Sequence, residues 1–109
     1  MNKVYIIGRI ARDLEIKFFG KNNTRSYIQF PLAVNEYSSS TKEQKCNFIN
    51  IVAFDRKAEI INEFLKKGKL ISIEGHLKNH NYINNNNQKV YNTSVILDNF
   101  EFIGKKTDA

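Results

Sequence analysis

The stretch Asn47-Phe-Ile-Asn-Ile-Val-Ala-Phe54 is the segment from which we interpret the rest of the sequence. Successive side chains of a β-strand point to opposite faces, so the even-numbered and odd-numbered residues of this stretch form two separate sets. Phe48, Asn50, Val52 and Phe54 share one face, and Ile49, Ile51 and Ala53 share the other. Because both faces carry apolar groups, the pattern predicts a strand on which each face contacts something other than water.

Strand patterns also precede this stretch. Val4–Ile10 is a short apolar run with a bend or bulge expected at Gly8. Tyr27–Val34 alternates and predicts a second strand with one apolar face. Between that strand and Asn47, the polar segment Glu36–Lys45 is interpreted as an exposed loop.

One helix is predicted, over Asp55–Lys67. Asp55 is a suitable N-cap, and Gly68 stands where a left-handed C-terminal cap is favoured. The apolar positions recur at helical spacing, which predicts one buried stripe. The stripe consists of Ala58, Ile61, Phe64 and Leu65.

The remainder of the chain predicts a long hairpin. Leu70–Tyr82 and the return run Gln88–Leu97 are strand patterns joined by the tip Asn84–Asn87, and Asn99–Ile103 is predicted as a last short strand. Strands, one helix and further strands, in that order, favour a small closed barrel with a helix at one end.

Composition limits the function. The chain has 109 residues, as expected for one domain, and 17 basic against 11 acidic residues give a net charge of +6. Excess positive charge attracts nucleic acid first and anionic membranes second, although a merely basic protein has the same balance. Cys46 is the only cysteine, so we expect no internal disulfide, no cysteine-based metal site and a reducing cytoplasmic environment.

Aromatic and basic residues are interleaved between Tyr37 and Tyr91. Proteins that bind single strands combine a cationic groove with flat side chains on which bases stack, at about 1–3 kcal/mol per base. The candidate stacking residues are Tyr37, Phe48, Phe54 and Tyr82, and the cations near them are Lys42, Lys45, Arg56, Lys78 and Lys89. The alternative interpretation is that Phe48 and Phe54 are ordinary core residues.

The sequence resembles the bacterial single-stranded DNA-binding protein family over about residues 2–103. Six blocks stand in the family's order and spacing, which makes the resemblance specific. They are Val4-Tyr-Ile-Ile-Gly-Arg-Ile-Ala-Arg-Asp13, Phe30-Pro-Leu-Ala-Val-Asn-Glu36, Asn47-Phe-Ile-Asn-Ile-Val-Ala-Phe54, Ala58-Glu59 with Phe64-Leu-Lys-Lys-Gly68, Ile73-Glu-Gly-His-Leu77, and Tyr91-Asn-Thr93.

This resemblance implies an all-β OB-fold with one helix, a five-stranded Greek-key barrel with long extended hairpins that spans residues 1–104. It implies a homotetramer that binds single-stranded DNA in replication, recombination and repair, with stacking by Tyr37, Phe48, Phe54 and Tyr82. It also places basic family positions at Lys3, Arg9, Arg12 and Arg56.

The sequence departs from the family at two kinds of place. The family commonly has Asp-Pro-Glu where this chain has Asp13-Leu14-Glu15, and Thr-Glu where it has Thr93-Ser94. Typical members continue into a flexible linker with an acidic tip that recruits replication and repair proteins, whereas this chain stops at Ala109. We expect residues 105–109 to be a short disordered end, and partners recruited through a tip only if such a tip has been removed from the sequence.

Catalysis and metal binding are not predicted. His76 and His80 lie four residues apart on one strand, roughly 13 Å, which is too far to share a metal ion. No nucleophile–base pair or phosphate-binding glycine loop is present, so we expect no enzyme activity, no catalytic residues and no cofactor. Two alternatives keep the fold: a tailless OB-fold interaction module of the primosome type, and an RNA-binding OB domain.

Overall fold

A computed structural model describes residues 1–104, apart from the side chain of Tyr37; the predicted disordered end, 105–109, lies outside the described residues. Over residues 1–104 the chain forms six strands, one α-helix and a 3-10 turn at Lys21–Asn23. The strands and helix are β1 (Val4–Ile10), β2 (Lys17–Phe19), β3 (Arg25–Ser38), β4 (Glu43–Phe54), α1 (Asp55–Phe64), β5 (Leu70–Ile83) and β6 (Lys89–Phe102).

The strands form a closed barrel. Their order is β1-β5-β6-β4-β3-β2, and an additional pairing of β1 with β3 closes the sheet, so that five strands make the barrel and the short β2 extends β3 at an edge. All pairings are antiparallel except that of β4 with β6, which is parallel. The predicted OB-fold, a mostly β barrel with one helix, is confirmed.

The core lies on the strand faces that the alternation of side chains along the sequence predicted. The face of β3 that carries Ile28, Phe30 and Leu32 is fully buried, as are Ile51 and Ala53 of β4. The other strands, the helix and Leu65 just after it contribute the remaining apolar residues of the core cluster, namely Ile10, Ile71, Ile73, Val95, Leu97, Ala58, Ile61 and Leu65. Because the odd-numbered face of β4 is buried here, its even-numbered face lies on the outside of the barrel.

The predicted start of the helix at Asp55 is confirmed, but its predicted end and N-cap were wrong. The helix ends at Phe64, three residues before the expected Lys67, because Leu65 takes an extended conformation (φ −117°, ψ 155°) that turns its side chain into the core. Phe54, not Asp55, is the N-cap residue, and Asp55 has a positive φ of 54°. Phe64, expected in the buried stripe, is 62% exposed and lies against Phe102.

The expected loop Glu36–Lys45 is mostly a hairpin. β3 continues to Ser38 and β4 begins at Glu43, so only four residues form the turn. The separate last strand expected at Asn99–Ile103 is likewise the continuation of β6, across an irregularity opposite Glu74 and Gly75. Main-chain hydrogen bonds between neighbouring strands do not depend on the side chains, so a polar sequence can extend a ladder that the core has started.

Within residues 1–104, no helix is long and apolar enough to cross a membrane.

Candidate nucleic-acid interface

The outer faces of β3, β4 and β6 enclose an open groove of about 620 Å³. On β3 and β4 its floor comes from residues that point away from the core, since each of them has a buried neighbour along its strand. The residues that line it are Phe19, Tyr27, Gln29, Asn50, Val52, Phe54, His80, Asn92, Thr93 and Ser94. We call this cleft the groove.

A chain of amide and hydroxyl groups crosses the floor of the groove. Gln29 Nε2 donates to Asn50 Oδ1 at 3.1 Å, and Asn50 Nδ2 donates to Ser94 Oγ at 2.7 Å. The three side chains therefore link β3, β4 and β6 across the sheet. Hydrogen bonding of this kind restricts the side chains and gives the groove a fixed polar surface.

Aromatic rings close one end of the groove. Phe54, at the end of β4, has its ring centroid 6.3 Å from that of Phe19 and 6.5 Å from that of Tyr27, while Phe19 and Tyr27 are 5.7 Å apart. These are edge-to-face or tilted contacts, which aromatic pairs favour. The guanidinium carbon of Arg25 lies 5.1 Å from the Phe19 centroid and 5.9 Å from the Phe54 centroid.

An ion pair holds Arg25 in this place. Arg25 Nη2 donates to Asp55 Oδ2 at 2.7 Å and Nε donates to Oδ1 at 3.4 Å, and the backbone N–H of Ser26 also donates to Oδ1. The hydrogen bond from Arg25, followed by that from Ser26, lowers the pKa of the Asp55 carboxyl. The same bond to Asp55 raises the pKa of Arg25. Both groups are therefore charged at neutral pH.

The predicted stacking residues take three different positions. Phe48 is 65% exposed on the groove face of β4, so the alternative of a core residue is wrong for it. Phe54 is half-buried and lines the groove, outside the core. Tyr82 is 53% exposed and lies two residues after His80, on the same face of β5. The side chain of Tyr37 lies outside the described part of the chain.

Some predicted cations lie close to these residues. Arg12 lines a second, smaller cleft of about 250 Å³ that shares Tyr27 and Gln29 with the groove, and its Nη2 donates to the carbonyl oxygen of Gln29 at 2.9 Å. Lys78 lies on the same face of β5 as His80, and Lys42 and Lys45 belong to the exposed β3–β4 hairpin.

Four other predicted cations lie outside the groove lining and have partners of their own. Lys3 is 3.8 Å from Glu74 and Arg56 is 3.5 Å from Glu59. Arg9 Nη1 donates to the carbonyl oxygen of Gly68. Lys89 lies 5.7 Å above the ring of Tyr91, and the pairing register puts both on the face of the hairpin opposite Tyr82.

Sequence reasoning missed several groove residues. Phe19, Tyr27, Gln29, His80 and Asn92 were not candidates, and neither was Arg25, which lies over the rings of Phe19 and Phe54. Tyr27 and Gln29 had a usable signal, because they alternate with the buried residues of β3 and must point outward. Phe19 and Arg25 had none, because their place beside Phe54 depends on the pairing of β2 with β3 and of β3 with β4.

A profile of the "Single-strand binding protein family" matches residues 1–103. The chain belongs to this family. Curated relatives are named accordingly: the "Single-stranded DNA-binding protein 1" of Staphylococcus aureus is 36% identical over 110 residues, which cover 97% of this chain and 67% of the relative. The "Single-stranded DNA-binding protein A" of Bacillus subtilis is 35% identical over 107 residues, covering 97% of this chain and 61% of the relative.

A solved structure supports the same membership of the single-strand binding protein family. The chain resembles one described as "Plasmodium falciparum SSB complex with ssDNA" with a TM-score of 0.83 and 27% sequence identity, over 95% of this chain and 96% of that chain. The resemblance identified from six sequence blocks is thereby confirmed, and the similarity covers the entire barrel. The family and these relatives are named for binding DNA and not for a reaction.

Proposed function

We propose that this protein binds single-stranded DNA without reading its sequence. The observation that carries the proposal is an open groove flanked by exposed rings on one continuous face, with Phe48 on β4 and Tyr82 on β5. Rings of this kind accept any base, because every base has a π-face, and phosphates are attracted by the net charge of +6. The names of the relatives support the same assignment.

In this proposal the stacking residues are Tyr37, Phe48, Phe54 and Tyr82. Along the groove face, phosphates are contacted by Arg12, Lys42, Lys45 and Lys78. Where the DNA leaves the groove, they are contacted by Lys3, Arg9, Arg56 and Lys89. The protein acts by occupying and protecting exposed single strands during replication, recombination and repair, and it catalyses no reaction.

Self-association is part of the proposal. Tyr5 and Ile7 are 72% and 58% exposed on the outside of β1, and over Val4–Gly8 that strand pairs on one side only, with β5. An exposed strand edge with apolar side chains favours pairing with another chain. We propose a homotetramer, for which sedimentation equilibrium would give four times the chain mass of 12.7 kDa.

Titration with poly(dT), followed by quenching of tyrosine fluorescence, tests the proposed function. We expect saturable binding that oligo(dT) competes away and that duplex DNA of the same length does not. Preference for oligo(U) over oligo(dT) would instead favour an RNA-binding OB domain. If neither single-stranded DNA nor RNA bound, the proposal would be contradicted and an interaction module favoured. A protein partner that binds in the absence of DNA would then support that alternative.

A further inference from the structure

The end of the groove formed by β2 and the first residues of β3 contains a cluster in which only Phe54 is among the predicted contacts. Phe19 lies directly opposite Arg25 in the β2–β3 pairing, and Tyr27 lies directly opposite Phe54 in the β3–β4 pairing. We call Phe19, Arg25, Tyr27 and Phe54 the β2 corner. Three of its members also line the groove, so the corner is continuous with it.

The β2 corner has the chemistry that a nucleotide requires. Three half-buried rings stand at 45–71° to one another with centroids 5.7–6.5 Å apart, so they form a concave corner and not a flat platform. A guanidinium lies over two of these rings. Bases stack on aromatic rings and on guanidinium planes, and guanidinium N–H groups bind phosphate.

Arg25 is held ready for such a contact. Asp55 engages its Nε and Nη2, while within residues 1–104 no hydrogen bond engages Nη1. The Arg25 side chain is 54% exposed, so Nη1 remains accessible. A side chain that is fixed before binding loses less conformational entropy on binding, which favours affinity.

We propose that the β2 corner is an additional nucleotide-binding subsite, in which one base enters the concave corner, stacks on one of the rings of Phe19, Tyr27 and Phe54 and meets the other two edge-on, while Arg25 Nη1 binds the adjoining phosphate. Asp55 acts as a positioning residue for Arg25. The proposal rests on the proposed single-stranded DNA binding and extends it: the bound DNA continues past Phe54, over β3, to the edge strand β2.

Photocrosslinking locates the bound DNA on the protein directly. The entire unmodified chain is irradiated with a short thymidine oligonucleotide that carries 5-iodouracil, and is then digested with trypsin. Trypsin releases Phe18-Phe-Gly-Lys21 and Cys46–Arg56 as separate peptides. We expect crosslinks on both peptides. Crosslinks on 46–56 without any on 18–21 or 26–42 would overturn the subsite and leave the proposed function intact, whereas a protein that neither binds nor crosslinks contradicts both.

Paired variants test the energetic contribution. Phe18 and Phe19 are adjacent on β2 and point to opposite faces, and Phe18 is 58% exposed, so F18A is a matched control for F19A. We expect F19A to raise the dissociation constant for a short oligo(dT) at least about fivefold and F18A to leave it unchanged. Equal effects of F18A and F19A, or none from either, would overturn the subsite.

A second variant separates the loss of a DNA contact from a structural effect of F19A on the edge strand β2. R25Q removes the phosphate ligand but keeps all three rings, and we expect it to weaken binding and to reduce the slope of log K against log salt concentration by about 0.7, the value for one phosphate of a single strand. K66Q, which removes one charge outside both clefts, is expected to leave the slope unchanged. An unchanged slope in R25Q overturns the role of Arg25.

Discussion

Asp55 combines an unusual backbone conformation with an ion pair. Its positive φ of 54° is a conformation that few residues other than glycine, asparagine and aspartate adopt. The turn from β4 into α1 passes through this residue, and the bonds from Arg25 and Ser26 fix its carboxylate. One side chain therefore stabilises the end of β4 and orients the cation at the β2 corner.

The stability contributed by Asp55 depends on pH. Because the pKa of Asp55 is lower in the folded state than its ordinary value, the ion pair stabilises the fold fully above that ordinary value, and its contribution declines as pH falls towards the folded pKa. We expect D55N, which keeps a residue that tolerates positive φ, to lower the urea midpoint at pH 7 and to have a smaller effect at pH 3. An effect of equal size at both values would contradict this.

Phe48 and Tyr82 are the rings most open to bases on the groove face. Truncating either removes one stacking surface, so we expect F48A and Y82A each to cost about 1–3 kcal/mol of binding free energy for short oligo(dT). F64A is a suitable control, because Phe64 is as exposed but lies on α1 against Phe102. Affinity unchanged in both F48A and Y82A would show that the stacking assignment is wrong.

At the scale of the elements, two glycines allow neighbouring strands to approach closely. A Cβ on Gly8 would stand 2.6 Å from the carbonyl oxygen of Ala33, where β1 meets β3 to close the barrel. A Cβ on Gly75 would collide with the carbonyl oxygen of Ile96 and lie 2.7 Å from Val95 Cγ1. Gly75 is also the site of the register irregularity between β5 and β6.

We expect G75A to destabilise the fold by about 1–3 kcal/mol, because backbone atoms must move to accept the methyl group. Chemical denaturation measures this change, and N81A, at an exposed position of the same strand, is expected to have little effect. A G75A variant as stable as the parent would mean that the β5–β6 ladder shifts freely at the irregularity.

The whole molecule acts through its distribution of charge. Within residues 1–104, cations lie both on the groove face, as Lys78 does, and outside it, as Lys3 and Arg56 do, and the latter two are partly neutralised by Glu74 and Glu59. Charge therefore attracts a polyanion to much of the surface, whereas the rings on the groove face determine where bases lie. The two contributions respond differently to salt.

Binding to poly(dT) is expected to weaken as salt rises, with log K linear in log salt concentration and a slope of about −0.7 for each phosphate neutralised. Titrations at several sodium chloride concentrations give this slope. F48A should lower the affinity at every concentration without changing the slope. A slope near zero for the parent protein would contradict the participation of lysine and arginine.

Much of the fold and part of the site were predictable from the sequence. Side chains along a strand alternate between its two faces whatever surrounds it, so the buried face of Ile28, Phe30 and Leu32 and the division of β4 into two faces followed from local pattern. The outward direction of Phe48 did not follow from it, because both faces of β4 carry apolar residues. Helix ends and loops were predicted less well. Whether Leu65 continues the helix or turns into the core depends on contacts that the local pattern does not contain.

The sequence by itself determined a basic OB-fold barrel, the two opposite faces of β4 and the identity of the family. Only the tertiary structure decided that Phe54 would share its corner with Phe19 and Arg25, about 30 residues earlier in the chain. The physical reason is that such contacts are set by strand register, which brings β2 to β3 and β3 to β4. Register arises from burial of the whole core, and no short segment encodes it.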